Sequence, residues 1–225
     1  MNKLNVRAWL ALLALALVMG LLIFVPAGTL HYWQAWTYLL VYFAASWWIT
    51  LYLMRRDPAL LQRRMSGGPT AEKQPAQKII MQISSVAFIA VLLVPALDHR
   101  FGWSAVPPAL AVAGDLVTAW SFHAVFRVFR ENSYASSTIE IAEAQQVISS
   151  GPYARVRHPM YAGALPLFLG TPLALGSWWG LLAFVFALPV LVWRLLDEER
   201  FLAAHLAGYR EYCARVRWRL LPGIF

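Results

Sequence analysis

Long stretches without charged side chains constrain this chain more than any other feature. In one of them, residues 159–193 contain no Asp, Glu, Lys, Arg or His, and Arg194 and the acidic pair Glu198 and Glu199 follow it. One crossing of a bilayer needs about 20 apolar residues, so this run is long enough to cross the membrane, turn and return. The return crossing would place the acidic pair on the same membrane face as His158, which directly precedes the run.

The composition is that of a membrane protein. Hydrophobic residues make up 60% of the 225 residues and charged residues 13%, whereas an ordinary soluble domain carries about 25% charged residues. A soluble domain of this size has too much surface to hide the uncharged blocks, so they must be buried in lipid. The net charge of +8 comes from cations at the ends of these blocks, which indicates a membrane and not a nucleic acid as the partner. Cys213 is the single cysteine, which excludes an internal disulfide and a cysteine-rich metal site, and no metal is expected.

Six membrane-spanning helices can be drawn, so the predicted fold class is an all-α integral membrane protein with about six transmembrane helices. The predicted spans are residues 9–25, 32–54, 79–97, 101–126, 159–175 and 177–193. The last two are short and are interpreted as a helical hairpin that turns at Gly176 and Ser177. The first follows Lys3 and Arg7, as in a signal peptide, but it is long and no clear cleavage site follows it, which favours a retained helix.

The distribution of cations predicts the orientation in the membrane. With the N-terminus inside, all of the 19 Lys and Arg residues except Arg100 lie in inner loops or at inner helix ends. The positive-inside rule therefore predicts a multi-pass protein of the cell (inner) membrane, with both termini in the cytoplasm.

The chain is predicted to form one functional unit with two parts. Residues 1–126 hold four spans and a basic cytoplasmic loop at 55–78, and residues 127–225 hold a cytoplasmic segment, the hairpin at 159–196 and a C-terminal segment. In the basic loop, Asp57 followed by Pro58 is a favourable helix start. A short helix on the inner leaflet and a solvated loop are both compatible with this segment.

The start of the hairpin carries residues suited to an active site. Pro159 fits the first position of a helix, which places His158 at the helix N-terminus, where free N–H groups and the helix dipole favour an anion. On the returning helix, Arg194 and Glu198 are four residues apart and share a face, with Glu199 beside it. The hairpin would bring a cationic motif and carboxylates together at the cytoplasmic surface of the membrane.

The second half of the chain carries a specific combination of motifs. They are Gln146-Val147-Ile148, Gly151-Pro152-Tyr153, Arg157-His158-Pro159-x-Tyr161-x-Gly163, Glu198-Glu199, Tyr209-x-x-Tyr212 and Arg219-Leu220-Leu221-Pro222-Gly223-Ile224. Together they resemble the isoprenylcysteine carboxyl methyltransferase and phospholipid methyltransferase superfamily over residues 132–225. The first hundred residues match that superfamily only as generic membrane spans.

The resemblance implies an integral membrane enzyme that transfers a methyl group from S-adenosylmethionine, with a cofactor pocket at the cytoplasmic face. The cofactor-binding residues that it implies are Gln145, Gln146, Val147, Ile148, Tyr153, His158, Pro159, Met160, Tyr161, Glu198 and Glu199, where the match of Glu198 or Glu199 to the family glutamate is uncertain by one position. The catalytic residues that it implies are His158, Glu198 and Arg194, the last of which matches an arginine proposed to meet the substrate. Gln145 stands where histidine is common in the family.

The resemblance also implies a lipophilic small molecule or lipidated substrate that enters sideways from the bilayer. An isoprenylcysteine-like carboxylate, a phospholipid amine and a thiol would all fit as the methyl acceptor. A carboxylate needs no general base, whereas an amine must lose a proton, for which His158 or Glu198 could serve.

Two other classes of function stay open. Membrane sterol reductases have a related C-terminal motif and bind NADPH. In their motif a glutamate follows soon after a His-Tyr pattern, whereas Tyr161 of this chain is followed by four uncharged residues. A non-enzymatic scaffold or small transporter would instead place polar residues along a path through the bilayer. Asp115, in the middle of the fourth span and two turns from His123, hints at such a path or is a neutral, hydrogen-bonded residue that holds helices together.

Overall fold

The regular structure of this chain is helical throughout the residues that the computed structural model describes, which are 3–67, 71–72, 74–142 and 145–225. In these ranges the α-helices are α1 (Lys3–Ala27), α2 (Trp33–Arg56), α3 (Pro58–Met65), α4 (Pro75–Phe101), α5 (Pro108–Glu131), α6 (Pro159–Ala174), α7 (Gly180–His205) and α8 (Tyr209–Arg215), with a short 3-10 turn at Gly151–Ala154. Five of them, α1, α2, α4, α5 and α7, are long and apolar enough to cross a membrane. The predicted fold class, an all-α multi-pass membrane protein, is confirmed.

The fifth predicted span is the shorter helix α6. It has 16 residues, which corresponds to about 24 Å and is less than the hydrocarbon thickness of about 30 Å. Its ends are fixed locally, because Pro159 occupies the first helical position and Gly176 turns the chain with a φ of +72° just after the helix. The two arms of the predicted hairpin are therefore unequal.

The fourth predicted span begins too early, because its first residues belong to α4 and to a loop. Gly102, with a φ of +62°, ends α4, and Pro108 occupies the first position of α5. Asp98 holds the loop between them, since its carboxylate accepts hydrogen bonds from the N–H of Ser104 at 2.7 Å and from the hydroxyl of Ser177. The same carboxylate thus joins this loop to the turn of the hairpin.

The basic loop contains the short helix that its sequence suggests. The side chain of Asp57 accepts a hydrogen bond of 2.9 Å from the N–H of Leu60, and Pro58 is the first residue of α3. Leu60 and Leu61 are buried against α2 and α5, in a cluster that also contains Phe129. This apolar face fixes α3 to the rest of the protein, so the alternative of a solvated loop is excluded for Pro58–Met65.

Helices α5 and α6 pack closely because glycines lie at their contact. A Cβ atom on Gly114 would lie 2.3 Å from the backbone nitrogen of Ala174, and one on Gly170 would lie 2.9 Å from the carbonyl oxygen of Gly114. A Cβ atom on Gly163 would lie 3.2 Å from the Cβ of Ala124, so this motif glycine admits a neighbouring helix. The contact fixes the position of α6 and of the residues at its N-terminus.

Replacing Gly114 by alanine is expected to destabilise the protein, because the new methyl group must push α5 away from α6. Overpacking of this kind costs about 1–3 kcal/mol. A Cβ atom on Gly20 in α1 would have no neighbour within 4 Å, so Gly20→Ala is the matched control and should be neutral or slightly stabilising. Thermal unfolding in detergent measures both variants, and equal melting temperatures would contradict the proposed packing.

Helix α7 extends well beyond the predicted span. It runs from Gly180 to His205, so Arg194, Glu198 and Glu199 belong to the same helix as the apolar residues before them. Helix α7 packs mainly against α4, whereas α6 packs mainly against α5. The two arms of the hairpin therefore leave room for a cavity between them.

Candidate active site

A cavity of about 660 Å³ lies between the arms of the hairpin and extends to the segments on either side of it in the chain. Its polar part is formed by residues of the segments 132–140 and 145–148, the start of α6 and the C-terminal half of α7. Its apolar part is formed by side chains of α6 and α7 that include Leu165, Phe168, Phe184 and Leu188. The cavity suits ligands that combine a polar group with a hydrocarbon chain.

Helix α7 lines both the apolar and the polar part of the cavity. Its lining residues follow one face of the helix and are Phe184, Ala187, Leu188, Leu191, Arg194, Glu198, Leu202 and Leu206. The lining is apolar up to Leu191, and Arg194 and Glu198 follow at intervals of about one helical turn. Arg194 therefore stands at the boundary between the apolar and the polar part.

The hairpin brings the start of α6 next to the acidic pair of α7, as the sequence predicts. The Nε2 atom of His158 lies 3.3 Å from Oε1 of Glu199. The hydroxyl of Tyr161 donates a hydrogen bond of 2.5 Å to Glu198. The predicted convergence of the imidazole and the carboxylates is confirmed.

The two adjacent glutamates have different partners. Glu199 binds Arg157 at 3.1 Å and Arg219 at 2.8 Å in addition to His158, and it is not among the residues that line the cavity. Glu198 does line the cavity, because neighbouring residues of an α-helix point about 100° apart. Of the two glutamates expected at the cofactor, only Glu198 has this position, while Glu199 binds the side chains of Arg157, His158 and Arg219.

The C-terminal segment fastens the motif that precedes α6. The backbone N–H groups of Arg157 and His158 donate hydrogen bonds of 2.9 Å to the carbonyl oxygens of Trp218 and Arg219. The guanidinium of Arg157 donates a further bond of 2.7 Å to the carbonyl oxygen of Val216. The C-terminal segment thus holds in place Arg157 and His158, which line the cavity.

A second network connects Glu198, Tyr161 and Arg194. The Nε atom of Arg194 donates to the hydroxyl of Tyr161 at 3.1 Å, and its Nη2 atom donates to the carboxylate of Glu72 and to the carbonyl oxygen of Ser137, both at 3.0 Å. The Nη1 atom of Arg194 is buried and has no hydrogen-bond partner within the described ranges. Because an unpaired buried donor is costly, this atom is available to a ligand.

The residues predicted to bind the cofactor meet around the polar part of the cavity. Its lining includes Gln145, Gln146, Val147, Ile148, Tyr153, His158, Pro159, Met160, Tyr161 and Glu198, together with Arg194. The side chain of Gln145 is engaged locally, since its Oε1 atom accepts a hydrogen bond of 2.9 Å from the N–H of Ala142. Glu199 is the one predicted site residue outside the lining.

Tyr153 is held as a neutral phenol at the polar part. The Nδ2 atom of Asn132 donates to its hydroxyl at 2.8 Å, and the hydroxyl of Tyr212 donates to its carbonyl oxygen at 2.8 Å. Burial raises the pKa of Tyr153 to about 12. The hydroxyl therefore stays protonated at neutral pH and can donate a hydrogen bond to a ligand.

Three residues that the sequence does not indicate also belong to this site. Arg64 and Asn132 line the cavity, and Glu72, which is 3% exposed, binds Arg194. The available signal was the amphipathic pattern around Arg64, which predicts a helix but not its partner. These contacts join segments that are far apart in the chain, so no local pattern reveals them.

Asp115 and His123 are separate from this site. Neither residue lines the cavity. Asp115 is 7% exposed, and its Oδ1 atom has no hydrogen-bond partner within the part of the chain that is described. Among the described residues there is also no group of three or more His, Cys, Asp and Glu arranged to hold a metal ion.

Comparison with known families points to the same region of the chain. Residues 109–208 match the phospholipid methyltransferase family. The matched range is slightly less than half of the chain and contains every residue that the sequence predicts for the site. For this range the resemblance to the methyltransferase superfamily is confirmed, and it supports a membrane methyltransferase.

A sterol reductase shares sequence with this chain over a similar length. The delta(14)-sterol reductase of Mus musculus is 35% identical over 92 residues, which make up 39% of this chain and 22% of the reductase. The chain thus spans about a fifth of the length of this curated relative. The likeness is to one part of a longer protein.

Proposed function

We propose that this protein is an integral membrane methyltransferase that transfers a methyl group from S-adenosylmethionine to a lipophilic acceptor. The reaction takes place at the cytoplasmic face of the cell (inner) membrane, with both termini in the cytoplasm. One observation carries the proposal: a single cavity joins a polar part, lined by the family motifs, to an apolar part between the hairpin helices. A soluble donor and a lipid-like acceptor can meet where the two parts join.

The side chains of the polar part fit S-adenosylmethionine chemically. The carboxylate of Glu198 can accept hydrogen bonds from an amino group or from ribose hydroxyls, and charge-assisted bonds of this kind are strong. Tyr153, Gln146 and the segment His158–Tyr161 line the cavity. Tyr153 and Gln146 would offer neutral polar groups to the adenosine, and His158–Tyr161 would border the methionine end. A volume of about 660 Å³ is within the range of ordinary ligand pockets, about 300–1,000 Å³.

The protein contributes alignment and a dry environment to the transfer. Bound S-adenosylmethionine would supply a methyl group on a sulfonium; the bond from carbon to sulfur breaks as the bond from carbon to the acceptor atom forms, and the electron pair stays on sulfur. Alignment of three atoms in a line is worth several kcal/mol in reactions of this type. A carboxylate acceptor loses its charge in the step, so exclusion of water by the apolar part favours it.

An amine acceptor would also have to release a proton. Two groups of the site could receive it: His158, which is held by Glu199, and Glu198, which is held by Tyr161. A carboxylate or an ionised thiol acceptor would need neither group as a base. His158 and Glu198 then act through binding and orientation.

The finer proposal for the acceptor is an isoprenylcysteine-like carboxylate or a related lipophilic molecule, with a phospholipid amine or a thiol as alternatives. Ala87 on α4 borders both the cavity and a shallow apolar groove on the outer surface, which is formed by residues such as Val86, Ala90, Leu182 and Phe186. This shared border supports sideways entry of the acceptor from the bilayer, between α4 and α7.

Replacing Ala187 by tryptophan is expected to fill the apolar part and exclude the acceptor, while the donor still binds. The KM for the acceptor should rise at least tenfold and the Kd for S-adenosylmethionine should stay within twofold. Val185→Trp is the matched control, because Val185 is exposed on the same helix and does not line the cavity. Steady-state methyl transfer and calorimetry measure the two constants. Equal loss of donor binding in Ala187→Trp would contradict the division of the cavity into two parts.

Calorimetry of the purified protein with S-adenosylmethionine and with NADPH tests the proposed function. We expect S-adenosylmethionine to bind at one site and NADPH not to compete with it. Incubation with methyl-labelled S-adenosylmethionine and host lipid extract should then label a lipid, whose identification gives the acceptor. Binding of NADPH without binding of S-adenosylmethionine would overturn the proposal.

A second candidate function is an NADPH-dependent reductase of the membrane sterol type. The likeness to the delta(14)-sterol reductase of Mus musculus favours it. The same calorimetric experiment separates the two candidates, because each requires its own cofactor.

A further inference from the structure

Hydroxyl groups of three membrane helices line the cavity away from its polar motifs. They belong to Tyr42 on α2, Ser84 on α4 and Ser121 on α5. The hydroxyl of Ser121 is used within the protein, because it donates a hydrogen bond to the carbonyl oxygen of Gly163 on α6. The hydroxyls of Tyr42 and Ser84 have no hydrogen-bond partner among the described residues. Two polar groups in an apolar region of the cavity are therefore available to a ligand.

Tyr42 lies well inside the membrane-spanning part of α2. Arg56, the last residue of that helix, is about 21 Å away along the helix axis. The ring of Tyr42 packs edge-on against Phe122, with 4.9 Å between the ring centres, and also contacts Phe43 at 5.2 Å. Both neighbours are apolar, so they hold the ring in place and leave its hydroxyl without a partner.

Ser84 lies on the face of α4 that borders the cavity. Met81 and Ala87, three positions before and after it, line the cavity as well. A serine within a helix often donates its hydroxyl to the carbonyl oxygen one turn back, and the neighbouring Ser85 does so, to Met81 at 2.8 Å. Ser85 does not line the cavity. The free hydroxyl of this serine pair is thus the one on the cavity face.

The two free hydroxyls determine which ligands suit this region. Neither oxygen is among the fully buried side-chain atoms that lack a partner, so each is accessible, and both residues line the cavity. A pure hydrocarbon chain would cover these oxygens without offering them a hydrogen bond, which is costly. A ligand with an oxygen atom at this position would accept a hydrogen bond from them. Sites that pair with a polar group of a ligand strongly reject analogues that lack this group.

We propose that the methyl acceptor carries an oxygen atom, in a hydroxyl or a carbonyl group, on its hydrocarbon chain, and that the hydroxyls of Tyr42 and Ser84 recognise it. The inference rests on the proposed function for the word acceptor, but the recognition site itself rests on the two free hydroxyls and the cavity. Tyr42 is the main partner, because its aromatic neighbours fix its ring. Among the acceptors proposed above, a chain substituted with oxygen is favoured over an unsubstituted isoprenyl chain, which would leave both hydroxyls unpaired.

Binding of fatty-acid probes to the full-length protein in detergent tests the site without any need for turnover. The probes are saturated fatty acids of ten, twelve, fourteen and sixteen carbons, and the same acids with a hydroxyl on the last carbon or a keto group on the carbon before it. The charged carboxylate keeps one end of each probe out of the apolar part, so the oxygen at the other end reaches a depth that increases with chain length. Each probe is compared between protein variants in the same detergent below its micellar concentration, so its partition into detergent cancels.

Tyr42→Phe removes only the phenolic oxygen and assigns the effect to it. Calorimetry should show that at least one oxygenated probe binds this variant about tenfold more weakly than the wild type, as the loss of one hydrogen bond implies. The unsubstituted acid of the same length should bind both proteins within twofold. Ser84→Ala should have a smaller effect in the same direction. The probe with the largest effect gives the depth of the recognised group and identifies it as a hydroxyl or a carbonyl.

Two matched controls lie on the same helices and do not line the cavity. Tyr52, further along α2, packs its ring against Phe126, and Ser85 follows Ser84 on α4. Tyr52→Phe and Ser85→Ala should bind every probe like the wild type. Because the hydroxyl of Tyr42 has no partner among the described residues, Tyr42→Phe should also have the melting temperature of the wild type. A clear fall would assign this hydroxyl a structural role and contradict the inference.

Two binding results would overturn the inference. One is that no oxygenated probe distinguishes the wild type from Tyr42→Phe, which includes the case that none of them binds. The other is an equal loss of binding in Tyr42→Phe and Tyr52→Phe. Calorimetry with S-adenosylmethionine on the same samples separates this inference from the proposed function, and Tyr42→Phe should leave that Kd within twofold. A wild type that recognises the oxygenated probes through Tyr42 but does not bind S-adenosylmethionine would refute the methyltransferase proposal and leave the recognition site standing.

Discussion

Replacing Glu198 by glutamine is expected to weaken the binding of S-adenosylmethionine about 30-fold while the protein stays folded. The substitution keeps the shape of the side chain but removes its charge, and a hydrogen bond to a charged group is worth about 2 kcal/mol. Glu198 accepts a hydrogen bond from the neutral hydroxyl of Tyr161, and Arg194, one turn away, keeps its ion pair with Glu72. The loss should therefore appear in ligand affinity and hardly at all in thermal unfolding.

Asp197→Asn provides the matched control for Glu198→Gln. Asp197 is the preceding carboxylate on the same helix, accepts a hydrogen bond from Gln77, and does not line the cavity. Calorimetry should give Asp197→Asn the affinity of the wild type for S-adenosylmethionine. If both variants lost affinity to the same extent, a general effect of negative charge on α7 would explain the result, and Glu198 would lose its proposed role.

Replacing Glu199 by glutamine is expected to lower the free energy of unfolding by about 3 kcal/mol, whereas Glu198→Gln changes mainly the affinity for the ligand. Its carboxylate lies between Arg157, His158 and Arg219, and the side chain of Arg157 is 13% exposed. Without the carboxylate, the largely buried guanidinium of Arg157 loses its ion-pair partner, and leaving a buried charge unpaired costs more than the ion pair itself contributes. The melting temperature should fall by about 6–12 °C.

Glu198→Gln is the natural control for Glu199→Gln, since the two side chains are adjacent and identical. The melting temperature of Glu198→Gln should stay close to that of the wild type. The attachment of the C-terminal segment should weaken in Glu199→Gln alone, which limited proteolysis near residue 216 would detect. A larger loss of stability in Glu198→Gln than in Glu199→Gln would contradict the division of roles between them.

The approach of His158 to the acidic pair could be predicted from the sequence because it depends on chain length. A run of 35 uncharged residues can return to its starting face only as a hairpin in a bilayer. Pro159 and Gly176, which bound the first arm, are local signals that need no knowledge of tertiary contacts. The same reasoning predicts the five long spans of the described residues but not the short length of α6, which is set by its turn and not by its hydrophobicity.

The choice between Glu198 and Glu199 could not be made from the sequence. It depends on the rotation of α7 about its axis and on the return of Arg219 from the C-terminal segment. Side chains of neighbouring residues in an α-helix point about 100° apart. Glu198 therefore faces the cavity, whereas Glu199 faces the ion-pair cluster of Arg157 and Arg219. Similarly, the positions of Arg64 and Glu72 depend on contacts of α3 and of Glu72 with Ser136, Ser137 and Arg194, which no periodic pattern encodes.

Ultraviolet cross-linking of radiolabelled S-adenosylmethionine to the wild-type protein, with mass spectrometry of the labelled peptides, tests the central claim most directly. The account predicts that label enters the peptides that contain residues 145–161 or 194–212, and that an excess of unlabelled S-adenosylmethionine prevents it. Label that enters only α1 or α2, or label that unlabelled S-adenosylmethionine does not displace, would contradict the account.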